Sequence, residues 1–234
     1  MSSAPTALHP SPLDAWPPRW TPAAVIFDCD GLLVDTESRW VALQDAYLAR
    51  HGAALDAAVR RELTGRAAEV VVVAIAEIVG KDPHLVGEEL VAEHRRHLGD
   101  VMTPLPGALE TLRAIAAVRP VAVASNSDRR ALDAKLAGLG IAEVVDASIA
   151  IEDVARPKPA ADMYLAAARA LGAEPADCLG FEDSETGAEA ALAAGLQLIA
   201  VPSLPGQEPR APRRVDSLED ATLRTWIAGW EGTR

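Results

Sequence analysis

The stretch Ala23-Ala24-Val25-Ile26-Phe27-Asp28-Cys29-Asp30-Gly31-Leu32-Leu33-Val34-Asp35-Thr36-Glu37 decides how this chain reads. Its first five residues are an unbroken apolar run of strand length, the pattern of a strand buried on both faces. Two carboxylates, one residue apart, stand where the run ends, and Gly31 lets the chain turn sharply behind them. In open α/β sheets ligands bind just beyond the carboxyl ends of the strands. Paired acids at that place suit a hard divalent cation, and one of them can serve as a nucleophile.

Outward from this stretch, strand-like and helical runs alternate, which argues for a parallel α/β sheet. The expected strands are Ala23–Phe27, Pro120–Ala124, Cys178–Phe181 and Leu196–Val201, with a short one at Val144–Ala147. Ala-rich helices are expected at Leu109–Ala117, Arg129–Gly138, Ala161–Leu171 and Thr186–Ala194, and a last helix around Ser217–Trp230. The segment between residues 36 and 103 is different: its apolar spacing is helical throughout and offers no strand. It predicts an all-helical domain inserted into an α/β core made of residues 21–35 and 104–234. Pro104 and Pro106 break any helix at its far end. Residues 1–20 carry five of the chain's 17 prolines and read as a disordered extension, with Trp16 and Trp20 able to pack onto the body. Pro205–Arg214 reads as a surface loop.

Half of the 234 residues are hydrophobic, enough for a real core, and the net charge is −12. That balance excludes nucleic acid and anionic membrane surfaces as partners, because both select basic patches. No apolar run approaches the roughly 20 residues needed to span a bilayer, and no secretory signal opens the chain. Cys29 and Cys178 are the two cysteines, each at an apolar strand, a usage that fits a reducing cytoplasm. Two flanking carboxylates would raise the Cys29 thiol pKa, so Cys29 is not assigned as the nucleophile.

Three more polar clusters follow expected strands or lie in loops between them. Ser125-Asn126-Ser127 ends one strand just before a helix, a place where a hydroxyl and backbone amides can cradle phosphate oxygens or Ser127 or Asp128 can cap the helix. Lys158 stands between Pro157 and Pro159, a stiff setting for an ammonium that can neutralise phosphate or pair with a nucleophilic carboxylate. Glu182-Asp183 is a second acidic pair at a strand end, suited to completing an oxygen shell for Mg²⁺, with helix capping by Asp183 or Ser184 as the alternative use.

With these four motifs in this order, the chain resembles the haloacid dehalogenase superfamily over roughly residues 21–220. The likeness is to the phosphatase branch with a helical cap, which includes sugar-phosphate phosphatases and β-phosphoglucomutase-like proteins. The resemblance implies a Rossmann-like doubly wound core and a set of roles. Asp28 would attack phosphorus to form an aspartyl-phosphate. Asp30 would protonate the leaving oxygen and later deprotonate the attacking water. Ser125, the Asn126 amide and Lys158 would hold the phosphoryl group. Mg²⁺ would be bound by Asp28, the Asp30 carbonyl and Asp183, with Glu182 as a second or water-mediated ligand.

Substrate choice should fall to the inserted helical cap, where Trp40 and Arg66 are the candidate readers. Mutases of the β-phosphoglucomutase type carry a cap histidine twelve residues beyond the nucleophile; this chain has Trp40 there, which favours hydrolysis. The expected partner is a small phosphorylated metabolite, such as a sugar phosphate, handled by a monomer or weak homodimer. A sugar phosphomutase and a non-catalytic binding protein on the same fold are the alternatives.

Overall fold

The computed structural model describes residues 11–63, 68–96, 102–204 and 206–231. The chain divides into two compact units, one of residues 1–34 with 102–234 and one of residues 35–101.

The larger unit is built on a six-stranded parallel sheet: β1 (Ala24–Phe27), β2 (Val121–Ala124), β3 (Ala147–Ile149), β4 (Cys178–Glu182), β5 (Gln197–Ala200) and β6 (Arg213–Arg214), in the order β3-β2-β1-β4-β5-β6. β1 is central, with Phe27 in register with Val123 on one side and Phe181 on the other. Alternation along the strands splits the core into two layers. Val25, Phe27, Val121, Val123, Leu179, Phe181 and Ile199 face one side; Ala24, Ile26, Ala122, Ala124, Cys178 and Leu198 face the other.

Helices α5 (Ala108–Ala116), α6 (Arg129–Gly138) and α9 (Ala221–Ala228) supply Leu112, Ile115, Leu132, Leu136, Leu223 and Trp226 to the first layer. Helices α7 (Asp162–Ala170) and α8 (Glu185–Ala193) supply Met163, Tyr164, Ala167, Ala188 and Ala191 to the second. Alanines make up much of this second layer, with Met163 and Tyr164 as its large members.

The smaller unit holds α1 (Thr36–Arg50), α2 (Ala57–Leu63), α3 (Ala68–Val79) and α4 (Pro83–Arg96) around Tyr47, Leu48, Val71, Ile75, Val86 and Leu90. Asp35 caps α1 by accepting from the Ser38 amide at 2.9 Å.

Four expectations need correcting. Residues 11–20 are not a disordered extension: Leu13 is fully buried, Trp16 meets Trp226 edge-on at 5.6 Å, and the Trp226 indole donates to the Trp20 carbonyl. Residues 1–10 lie outside the described residues. The inserted unit ends before Met102, not at 103, because Met102 is buried in the core and Pro104 bridges Val34. The third strand starts at Ala147, because the Val144 and Val145 amides turn back onto the Ile141 carbonyl. The Pro205–Arg214 loop contains β6, where Arg213 and Arg214 pair with Ile199 and Ala200.

Candidate active site

The site forms at the carboxyl ends of β1, β2 and β4. The Asp28 amide donates to the Phe181 carbonyl at 3.0 Å, carrying the β1–β4 ladder one residue past the strand. The backbone then closes a tight turn: Leu33 and Val34 amides both donate to the Cys29 carbonyl, and Gly31 takes a positive φ of 77°. A Cβ at Gly31 would stand 2.2 Å from Asp183 Oδ2, so this turn needs glycine both for its backbone and for the approach of Asp183. Cys29 points into the core, as strand alternation requires when Asp28 and Asp30 share the other face.

Lys158 is the hub. Its ammonium is 2.5 Å from Asp28 Oδ1 and 2.5 Å from Glu182 Oε1, and it lies over the Tyr164 ring at 4.9 Å. A buried ammonium persists only when it is paired and hydrogen-bonded. Asp28, Tyr164 and Glu182 outweigh the effect of its burial and hold its pKa well above the usual lysine value. Asn126 fixes the backbone that carries it: the Asn126 amide donates to the Lys158 carbonyl at 3.2 Å and accepts from the Lys158 amide at 3.0 Å.

Glu182 is fully buried and both its oxygens are engaged. Oε1 accepts from Lys158 and from the Tyr164 hydroxyl at 2.7 Å; Oε2 accepts from the amides of Asp183 and Ser184 and from the Ser184 hydroxyl. Asp183 is held by the Ser203 hydroxyl at 3.0 Å.

Asp28, Glu182 and Asp183 each present a carboxylate oxygen, all within 4.8 Å of one another. Three buried carboxylates thus face one ammonium. Burial, with the neighbouring acid charges, pushes the Asp28 carboxyl well up despite Lys158. Burial and the Glu182 charge push Asp183 up to about 6. This unbalanced all-oxygen set fits a hard divalent cation such as Mg²⁺. Asp28 and Asp183 offer the freer oxygens, and Glu182, whose oxygens already accept from Lys158, Tyr164, Ser184 and the Asp183 amide, would complete the set as a second or water-mediated ligand.

Asp30 is placed differently. Its Oδ2 accepts from the Ser125 hydroxyl at 3.0 Å and the Ser127 hydroxyl at 2.9 Å, and its Oδ1 is ion-paired with Lys135. Burial alone would raise its pKa, but the Lys135 charge and the bonds from Lys135, Ser127 and Ser125 pull it below the usual carboxylate value.

The structure therefore brings together Asp28, Asp30, Ser125, Asn126, Lys158, Glu182 and Asp183. Trp40 is half-buried against the core of the helical unit, beside Val72, Leu90 and Val91. Arg66 lies outside the described residues.

Lys135, Tyr164 and Ser203 were not found from the sequence, and Ser127, named there within the Ser125–Ser127 cluster or as a helix cap, instead bonds Asp30 and Lys135. Lys135 did carry a signal: it falls three and four residues after Leu132 and Ala131, on the apolar stripe of α6.

Comparison with known proteins accounts for this arrangement. Residues 22–195 match the family model of haloacid dehalogenase-like hydrolases. The fructose-1-phosphate phosphatase YqaB of Escherichia coli is 33% identical over 181 residues, covering 76% of this chain and 96% of its own. The validoxylamine A 7'-phosphate phosphatase of Streptomyces hygroscopicus subsp. limoneus is 31% identical over 207 residues, covering 86% and 95%. A crystal structure of a haloacid dehalogenase-family hydrolase from Deinococcus radiodurans R1, with bound phosphate and sodium, is 31% identical with a TM-score of 0.70, covering 88% and 96%. With its four motifs gathered at the ends of β1, β2 and β4 and a helical unit inserted after β1, the chain belongs to the haloacid dehalogenase-like hydrolases, in the helical-cap branch that includes sugar phosphatases.

Proposed function

We propose that the protein is a Mg²⁺-dependent phosphomonoesterase acting on a small phosphorylated metabolite, a sugar phosphate, through an aspartyl-phosphate on Asp28. The observation that carries this is the Asp28 carboxylate set between the Lys158 ammonium and the Asp183 carboxylate, with Asp30 two residues on. Phosphoryl transfer asks a protein mainly for positioning and charge stabilisation, and covalent capture splits one hard displacement into two easier ones.

In this reading Asp28 attacks phosphorus as the bond to the leaving oxygen breaks. In its protonated form Asp30 delivers a proton to that oxygen, and as the carboxylate so formed it takes one back from the water that releases phosphate. Ser125, the Asn126 backbone amide and Lys158 hold the phosphoryl oxygens, while Glu182 and Tyr164 keep Lys158 in place. A cation held by Asp28, Asp183 and the Asp30 carbonyl would supply positive charge for the phosphoryl oxygens and for Asp28. Trp40 and Arg66 are the proposed readers of the leaving group.

Two relatives are named as phosphatases of fructose 1-phosphate and of validoxylamine A 7'-phosphate, and the first supports a sugar phosphate as substrate. Trp40, standing where the mutases carry a histidine, supports hydrolysis over transfer within one sugar.

The test is phosphate release from a panel of sugar and polyol phosphates, with Mg²⁺ and with EDTA. Mg²⁺-dependent release that vanishes in Asp28→Asn is expected. Folded protein that releases phosphate from nothing would sink the reading.

A further inference from the structure

Lys135 is 4% exposed, on the last turn of α6, yet it belongs to none of the four motifs. Taking an ammonium out of water carries a large desolvation cost unless partners replace the water. Among the described residues its partners are Asp30 Oδ1 and the Ser127 hydroxyl at 2.7 Å. The same Ser127 hydroxyl donates to Asp30 Oδ2 at 2.9 Å, so Lys135 grips the carboxylate once directly and once through Ser127. The Ser125 hydroxyl adds a third bond to Oδ2, and itself accepts from the Ser127 amide at 3.0 Å.

The outcome is a closed ring of contacts on one carboxylate. Asp30 otherwise sits on a short turn with its side chain one-third exposed, where a two-torsion side chain could rotate freely. An acid–base group works only within hydrogen-bond reach of the oxygen it serves, so a carboxylate free to rotate would lose most of its effect.

We infer that Lys135 is a positioning residue for acid–base catalysis: through its ion pair with Asp30 and its bond to Ser127, it fixes the orientation of the Asp30 carboxylate toward the leaving-group oxygen. This rests on the phosphatase reading above. Lys135 makes no contact with Asp28, Lys158 or Asp183 among the described bonds, so its effect should be confined to the proton-transfer part of the reaction.

The test compares Lys135→Met, Lys135→Arg and Ser127→Ala on p-nitrophenyl phosphate and phenyl phosphate in Mg²⁺. Nitrophenolate leaves without needing a proton, whereas phenolate, with a pKa near that of tyrosine at about 10, does need one. General acid catalysis is worth about 10²–10⁴-fold. For Lys135→Met, kcat/KM should fall by about 10²-fold or more on phenyl phosphate and by less than about 5-fold on p-nitrophenyl phosphate. Lys135→Arg should recover much of the loss, and Ser127→Ala should show the same leaving-group bias more weakly. In an Asp30→Asn background, Lys135→Met should add nothing further.

Equal losses on the two substrates, or none, would overturn the inference. If Lys135→Met does not fold, the bias in Ser127→Ala and the recovery in Lys135→Arg decide it. Absence of turnover in the unaltered protein instead removes the phosphatase reading, and this inference with it.

Discussion

Gly187 packs so closely on Glu182 that a Cβ at position 187 would stand 1.8 Å from Oε1. Helix propensity alone says that Gly187→Ala inside α8 should stabilise, by about 1 kcal/mol. Here Glu182 cannot give way, because Lys158, Tyr164, Ser184 and the Asp183 amide pin both its oxygens. The expected outcome is a lower melting temperature together with a fall in kcat of about 10²-fold, since moving Glu182 moves Lys158. An alanine variant as active as the parent would show that Glu182 does not set the place of Lys158.

The motifs on strands were legible because their order and spacing survive in one dimension. Asp28 and Asp30 follow the apolar run of β1, and Glu182-Asp183 that of β4, with turns marked by Gly31 and Ser184. What joins the motifs was not legible. Tyr164 and Lys135 reach the site from helices whose stripes read as plain core, and a hydroxyl or ammonium on an apolar stripe shows its purpose only when its partner is placed opposite. Leu13 was missed for a related reason. Proline-rich composition predicts disorder, but a 3₁₀ turn at Pro12–Asp14 capped by Ser11 is enough to set one leucine into the core. β6 was missed because two residues show no period.

That leucine gives a second prediction. Leu13 is fully buried, and its neighbourhood is tied down by the Trp16 ring against Trp226 and under Arg213 at 4.9 Å. Truncating a buried leucine costs about 2–5 kcal/mol, through lost burial and the cavity left behind. Leu13→Ala should therefore lower the melting temperature by roughly 4–20 °C, at about 2–4 °C per kcal/mol for a chain of this size. Kinetic constants at low temperature should hold, as Leu13 is remote in bonding from the site. A neutral effect on melting would mean that residues 11–20 are dispensable to the core.

The thiols supply a third. Burial, then the Asp30 charge, pushes Cys29 well above the usual thiol pKa; burial, then Asp177 and Glu174, pushes Cys178 to about 11. At pH 8 a thiol of pKa about 11 is thiolate in roughly one molecule per thousand, and a buried one is shielded from reagent as well. Native protein should consume no aromatic disulfide reagent over an hour at pH 8, and unfolded protein should consume two equivalents. Rapid reaction of one thiol in active, folded protein would show that its strand end opens.

Asp183 makes the link between metal, pH and stability testable. Its carboxyl rises from 3.8 to about 6 on folding, chiefly from burial and then from the charge of Glu182, against the pull of Ser203, Gln207 and Lys158. An acid whose pKa is raised in the folded state favours folding while protonated, and that contribution is lost as pH rises through about 6. Without metal, the protein should therefore lose stability between about pH 4 and pH 7, and Asp28 acts in the same direction. A divalent cation on the ionised pair cancels the cost, so Mg²⁺ should raise the melting temperature much more at pH 8 than at pH 5. Asp183→Asn removes both the cost and the donor. In EDTA at pH 8 it should melt above the unaltered protein, recovering part of the ~3 kcal/mol that such a shift represents. It should melt no higher at pH 4, gain nothing from Mg²⁺, and have lost its turnover. Calorimetry of the two proteins at three pH values, with Mg²⁺ and with EDTA, checks every arm. A variant that melts below the parent in EDTA at pH 8 would mean that the Ser203 and Gln207 bonds outweigh the buried charge.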